Sequence, residues 1–407
     1  MKKLTIDKPV SSDLIHCIVG IEFILCLCIV IFTMVGIKSF VSVCFYSTFV
    51  FEYALLFLVM LQKRESNYKL LFILGIITIL SLSNVFINGI DNGMNTIPFD
   101  YLKKCLMFLS SLIWFYLATQ IKVKKKFITV FVIAIAFSLF LYCLAYFFVK
   151  ERMFLFRGRM SDYLTFGFEN PNLAGLFLVV LFFYTLVAFN INKNIFFKIL
   201  CIVLMVFCSF FVYKTHSRNS LIALVITLFV AFVWIVRKKK HEFSKMMLFV
   251  SVISPLLFLM IYMSFIETPF MQNTFQFLVT AEKGFDSRLL EWTNCLAFFK
   301  TNPLFGAYYE ISNGTGVSQC LNSCLDVLSS YGVIVFLLFV AFLYMVLKKV
   351  NHYMSFVGFA AFCGFLACIY AGIGEAAFFS GGTGISILAG GFILLTNSFR
   401  TEENTLI

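Results

Sequence analysis

Residues 172–190, NLAGLFLVVLFFYTLVAFN, run on without a single charged side chain. At 1.5 Å per residue this makes a helix of about 28 Å, close to the ~30 Å hydrocarbon core of a bilayer. Comparable runs recur near 14–37, 40–61, 70–89, 103–121, 127–149, 196–213, 219–236, 246–266, 323–347, 354–373 and 382–397, the last short and rich in glycine. Together they predict about twelve transmembrane helices. Composition agrees: of 407 residues 61% are hydrophobic and 13% charged, and mean hydropathy is +0.96. Soluble domains sit nearer half apolar and a quarter charged, so a soluble globular fold is excluded. The expected fold class is an all-α integral membrane protein, one polytopic domain over 1–407 with no evident internal repeat. Lysines precede the first apolar run and no small-residue cleavage site follows it, so that run reads as a retained anchor. The 13 cysteines lie mostly in apolar runs, as small buried hydrophobes do. Cys320 and Cys324 in CLNSC are a candidate disulfide or metal pair.

Lysine and arginine in the connections set the expected orientation. With the N-terminus inside, the segments MKKLTIDK, QKRESNYK, IKVKKK, NINKNIFFK, RKKKHEFSK, KKVNHY and the tail with Arg400 hold about 20 of the 32 Lys and Arg, as the positive-inside rule requires. Both termini are then cytoplasmic. The net charge of +12 is matched by anionic headgroups and calls for no nucleic acid. Most of the remaining basic residues cluster on the opposite face: Lys150, Arg152, Arg157 and Arg159; Lys214 and Arg218; Lys283 and Arg288. Positive charge placed against the insertion bias points to an anionic ligand at the extracytoplasmic face, with solvated loop charges as the plainer alternative. The connection 267–322 is far longer than most and reads as a functional extracytoplasmic loop.

Local sequence adds chemistry to these loops. In ENPNLAG, Asn170 suits a helix N-cap, Pro171 the first helical position, and Asn172 follows with a free N–H. A helix start of this kind binds anions, and Arg159 stands upstream to close over it; the same residues also mark an ordinary helix start. In THSRNS, Ser217 and Asn219 are candidate caps beside Arg218, which must snorkel or find a partner at that depth. Leu289, Leu290, Trp292, Leu296 and Phe299 recur at helical spacing, predicting an interfacial helix with Trp292 as a headgroup-level anchor and Arg288 near its start. Arg288 also has Asp286 and Glu291 as simple salt-bridge partners. TNPLFG (301–306) predicts a turn or helix start.

FGFENPNLAG, THSRNSLIALVI, SRLLEWTNCLAFFKTNPLFGAY and LNSCLDVLSSYGVIVFLLF occur in that order, and this block of about 158–340 resembles the O-antigen ligase and Wzy-type polymerase superfamily. The resemblance implies a GT-C-like membrane glycosyltransferase. Such an enzyme passes a glycan from undecaprenyl diphosphate to an acceptor hydroxyl at the outer face of the bacterial cytoplasmic membrane, without metal or other cofactor. It also implies a flippase and a chain-length regulator as pathway partners. Among its polymerases the acceptor is another lipid-linked repeat unit of capsule or O-antigen. By motif position Arg218 and Arg288 are the implied diphosphate ligands and Arg159 a third; arginine suits the task through its fixed charge and bidentate fork.

The family's usual His-Asn before the tenth span reads Leu321-Asn322 here, with Asp326 retained one turn on. His216 is the candidate replacement base, with helix-start packing as its alternative role; Glu169, Asp162 and Glu310 share that face. Glu375 is a candidate to organise the arginines or bind acceptor sugar, with a solvated carboxylate as the equal alternative. Tyr308, Tyr309 and Tyr331 are candidates to stack on sugar rings, a pattern that an aromatic belt also gives. A ligase moving finished polymer to another acceptor fits the same motifs. A flippase or secondary transporter is the rival of another class, and it is disfavoured because Glu22 and Glu52, the in-span carboxylates, do not pair in any way visible from the sequence.

Overall fold

A computed structural model describes residues 13–62, 68–91, 99–148, 166, 168, 171–236, 243–265, 286–306, 320, 322–351, 354–374 and 384–399. The elements are all helical: α1 (Asp13–Val35), α2 (Lys38–Gln62), α3 (Tyr68–Asp91), α4 (Phe99–Gln120), α5 (Lys125–Phe148), α6 (Pro171–Ile191), α7 (Ile195–Lys214), α8 (Arg218–Val236), α9 (Lys245–Phe265), α10 (Asp286–Thr301), α11 (Ser323–Val350), α12 (Phe356–Ala371) and α13 (Ile385–Ser398). Among the described residues nine helices are long and apolar enough to cross a membrane. Three shorter apolar segments, Thr129–Ala145, Phe356–Ala371 and Ile385–Ser398, bring the apolar set to the expected twelve. The helix α10 forms over the segment whose periodicity predicted one. Inside a bilayer every backbone polar group must bond within its own helix, which is why uninterrupted apolar runs become these elements.

The bundle is built around its two shortest apolar helices. α12 packs on α6, α8, α9 and α13, while α13 packs on α4, α6 and α1 as well. Every residue of α13 and nearly all of α12 are buried. Both are apolar all round, so neither has a polar face to offer. Lipid tails supply no hydrophobic drive between helices, so close approach at small residues and inter-helix hydrogen bonds hold them. The glycines of α13 act this way. A Cβ on Gly390 would overlap the Trp114 indole, whose Nε1 donates to the Ile387 carbonyl at 2.9 Å. A Cβ on Gly391 would strike the Tyr184 hydroxyl, which donates to the Leu388 carbonyl at 2.8 Å. Around this centre α2, α7, α8 and α9 turn residues such as Phe57, Phe196, Phe229 and Ile261 outward, the surface that lipid covers.

One helix is broken. Gly332 in α11 has φ 78° and ψ 176°, a backbone only glycine adopts freely. The turn Asn302–Gly306 docks into this break: Val333 N–H donates to the Pro303 carbonyl at 2.9 Å. The Asn84 amide of α3 donates to the carbonyls of Phe305 and Ser330, the latter at 3.2 Å. The groups freed by the kink are thereby satisfied inside the protein. A side chain at Gly332 would run into the Leu304 backbone.

Gly390→Ala is expected to cost about 1–3 kcal/mol by overpacking, seen as a lower melting temperature and less accumulated protein. Gly75→Ala is the contrasting control, since a Cβ there meets nothing within 4 Å; its stability should be unchanged or slightly raised.

Candidate functional site

The string THSRNS turns α7 into α8. Thr215 Oγ1 donates to the Val212 carbonyl at 2.7 Å and accepts from Ser217 N–H at 3.3 Å. His216 takes a left-handed conformation, φ 53°, with an exposed ring 6.3 Å from that of Tyr213. Ser217 is the N-cap foreseen: its Oγ accepts from Ser220 N–H at 3.3 Å and donates to Ser220 Oγ at 2.8 Å. Ser220 Oγ in turn reaches the Asn172 carbonyl at 3.3 Å, tying α8 to the start of α6. Gly175 of α6 permits this approach, because a Cβ there would press on both serines. Asn219, the other candidate cap, instead donates to the Ala371 carbonyl at the end of α12, 2.6 Å away.

Between these fixed neighbours stands Arg218. Its side chain is half-buried, and among the described residues its Nη1 is buried without a hydrogen-bond partner. A guanidinium has five N–H donors and no acceptor. Leaving a charged donor desolvated and unpaired costs more than a neutral one, for which about 1–3 kcal/mol is usual.

Asn322 forms the floor beside it. This buried N-cap of α11 accepts from Cys324 N–H at 3.1 Å and Leu325 N–H at 3.0 Å. Its Nδ2 donates to the Pro255 carbonyl at 2.8 Å and the Ile373 carbonyl at 3.1 Å. All the hydrogen-bonding positions of its amide are thus spent on α9, α11 and the end of α12. Ser323 N–H adds a bond to the Gly372 carbonyl at 2.8 Å. Pro255 lies midway along α9, so the last ten residues of that helix rise about 15 Å past the floor. The starts of α8 and α11 and the end of α12 therefore meet in a polar recess, walled on one side by α9. The helix α10 packs on α11 and, through Trp292, on α9.

Several expectations are corrected here. Trp292 is fully buried, edge-on to Tyr262 of α9 at 5.8 Å, because the apolar stripe of α10 faces protein rather than headgroups. Tyr331 is buried and stacks on Phe108 at 5.0 Å, so its ring is not offered to a sugar. Cys320 bonds to Cys295 of α10, leaving Cys324 a free, buried thiol. Closing a loop of that separation is worth roughly 3 kcal/mol in the chain-entropy account, and it ties α10 to the beginning of α11. Glu22 and Glu52, read as unpaired, lie on adjoining helices α1 and α2, fully buried and acting on each other electrostatically.

Of the residues singled out from sequence, Arg218, His216, Asn172, Asn322 and Asp326 are described: His216 and Arg218 at the start of α8, Asn172 at the start of α6, and Asn322 and Asp326 at the start of α11. Asp326 accepts from Cys320 N–H at 3.3 Å and lies within Coulombic reach of Lys104 on α4. Arg288 is the third residue of α10; its side chain, and the whole of Arg159, Asn170, Glu375, Tyr308, Tyr309, Glu169, Asp162 and Glu310, fall outside the described residues. Lys104 and Asn219 were not singled out as site residues; Asn219 was visible only as a possible cap.

The fold defines a multi-pass helical membrane protein in which the half-buried Arg218 stands where the ends of several helices are bonded together. Residues 202–340 match the family model described as O-antigen ligase. That stretch runs from α7 into α11 and includes Arg218, Arg288, Asn322 and Asp326. The match supports the O-antigen ligase/polymerase superfamily and, with it, a membrane enzyme of polysaccharide assembly. No curated protein matches the chain.

Asn322→Ala should strip partners from two buried carbonyls and two N–H groups, at about 1–3 kcal/mol for each group left unsatisfied. Asn322→Asp keeps the cap but sets an oxygen against the Pro255 and Ile373 carbonyls. Both variants should melt earlier in detergent, and hydrogen exchange should quicken at the start of α11.

Proposed function

We propose that this protein is a polysaccharide polymerase of the cytoplasmic membrane, joining repeat units carried on undecaprenyl diphosphate at the extracytoplasmic face. The observation that carries the reading is the buried guanidinium nitrogen of Arg218, unpartnered among the described residues, held between Ser217, linked through Ser220 to α6, and Asn219, bonded to the end of α12. A desolvated, fixed positive charge binds a diphosphate more strongly as its negative charge grows. In the transfer, an acceptor hydroxyl oxygen attacks C1 of the lipid-linked sugar. The bond from C1 to the phosphate oxygen breaks, inverting C1, and lipid diphosphate departs with the electron pair. Arg218 and Arg288, with Arg159 as a third, stabilise that leaving group more in the transition state than in the ground state.

His216 takes the hydroxyl proton in this scheme. Its exposed ring, two residues from Arg218, suits a group that meets an acceptor arriving from the rim; general-base help of this kind is worth ~10²–10⁴-fold. Asn322 acts by holding the floor, since its amide has no bond left to give. Asp326, Asn170, Asn172 and Glu375 complete the proposed acceptor and diphosphate surroundings. Sequence polarity and the loop cations support the extracytoplasmic placement.

Arg218→Ala and Arg288→Ala are each expected to abolish polymer at normal protein level, read as a glycan ladder collapsed to single repeats in complemented deletion cells. Lysine at either position should restore only part of the ladder, since the charge returns without the fork. His216→Ala should shorten or abolish chains, and wild-type assembly by that variant would remove it as the base. Intact polymer left on the lipid carrier in the deletion strain would replace polymerase by ligase.

A further inference from the structure

Glu22 and Glu52 are fully buried, at 0% exposure each. Glu22 lies 14 residues before the Gly36 turn of the α1–α2 hairpin and Glu52 lies 16 after it, so the antiparallel register sets them at one level, near the middle of both helices. Among the described residues neither oxygen of Glu22 has a hydrogen-bond partner, nor does Oε1 of Glu52. Glu52 Oε2 accepts from Ser110 Oγ of α4 at 2.5 Å. The titratable neighbours that feel these carboxyls are Cys26 of α1 and Tyr53 of α2, with Cys105 of α4 beyond Tyr53. No Lys, Arg or His is among the groups acting on either carboxyl. α13 carries no titratable side chain, and α5 keeps its lysines at one end and Tyr142, Cys143 and Tyr146 toward the other. Among the described residues the pair thus has no counter-ion.

A bare carboxylate at mid-bilayer is costly, and two facing each other are more so. One positive charge between them gives the unpartnered oxygens a common partner and lowers the charge of the pair from two to one. The Ser110 hydroxyl donates to Oε2 of Glu52 and fixes its carboxyl in place. From this geometry we infer that Glu22 and Glu52 form a membrane-embedded binding site for a monovalent cation, a proton or an alkali metal ion, independent of the arginine recess. Nothing in glycosyl transfer at the recess uses this site, and it would stand if that reading failed.

The test uses the full-length protein in lipid nanodiscs and the apolar reagent dicyclohexylcarbodiimide, which adds to a protonated carboxyl and leaves a stable N-acylurea. Peptide mass spectrometry should find the adduct on Glu22 or Glu52, lost as pH rises and absent from a Glu22→Gln/Glu52→Gln double variant. Labelling insensitive to sodium, potassium or lithium at fixed pH assigns the site to a proton. Suppression by one of these ions assigns it to that metal. Infrared difference spectra of wild type against Glu52→Gln cover the case in which the reagent does not reach. Loss of a neutral-carboxyl band, or of a carboxylate band that shifts with the alkali ion, supports the site. No adduct together with neither band overturns it.

Discussion

The side chain of Asn322 is the joint on which the recess depends. Two of its bonds start α11, and the other two fasten that start to the middle of α9 and the end of α12. Water cannot stand in for a missing partner at this depth, so each bond is worth more than the ~1 kcal/mol of an average one. Because α12 is in turn bonded to Asn219 of α8, and α8 through Ser220 to α6, a single amide sets where the backbone around Arg218 stands. A charged group is useful in catalysis only when its position is fixed before charge develops, and this chain of bonds does the fixing.

The spans were legible because bilayer thickness imposes a length and an apolar character that any sequence must display. Residues 172–190 and α6 differ by one residue at each end. The caps at Ser217 and Asn322 follow from equally local chemistry. What the sequence did not disclose depends on faces and partners. The spacing of Leu289, Trp292, Leu296 and Phe299 declares an apolar stripe yet is silent on whether lipid or protein covers Trp292, and Tyr262 of α9 does. Cys320 had a nearer candidate in Cys324, but the residues between them start a helix, whereas α10 brings Cys295 alongside. Glu22 and Glu52 are 30 residues apart, and their meeting is a matter of hairpin register. In Asn322 the sequence signal was sound and its meaning local: an invariantly useful amide can serve the fold as readily as a ligand.

Two polar places are therefore set at different depths in one apolar bundle, and their chemistry is opposite. At the recess a cationic donor is left without a partner beside backbone that is tightly fixed. In the α1–α2 hairpin two acidic groups are buried with no cation acting on them among the described residues. Each violates the rule that buried polar groups are satisfied, while the glycine-tight contacts of α13 and the docked turn at Gly332 obey it closely. The unsatisfied groups stand on helices whose other contacts are well made, which is how a fold tolerates their cost.

The shortness of α12 and α13 has an electrical consequence. Helices of 16 and 14 residues extend only about 24 and 21 Å, less than the ~30 Å hydrocarbon slab. Wherever water reaches the ends of these two helices, the barrier is thinner than the membrane around it, and the transmembrane voltage falls over a shorter path there. A charge resting on the floor by Asn322 and Ser323 stands part of the way down that drop. Full passage is worth ~2.3 kcal/mol per elementary charge at 100 mV, so an anion drawn to the floor exchanges a fraction of that energy with the membrane potential.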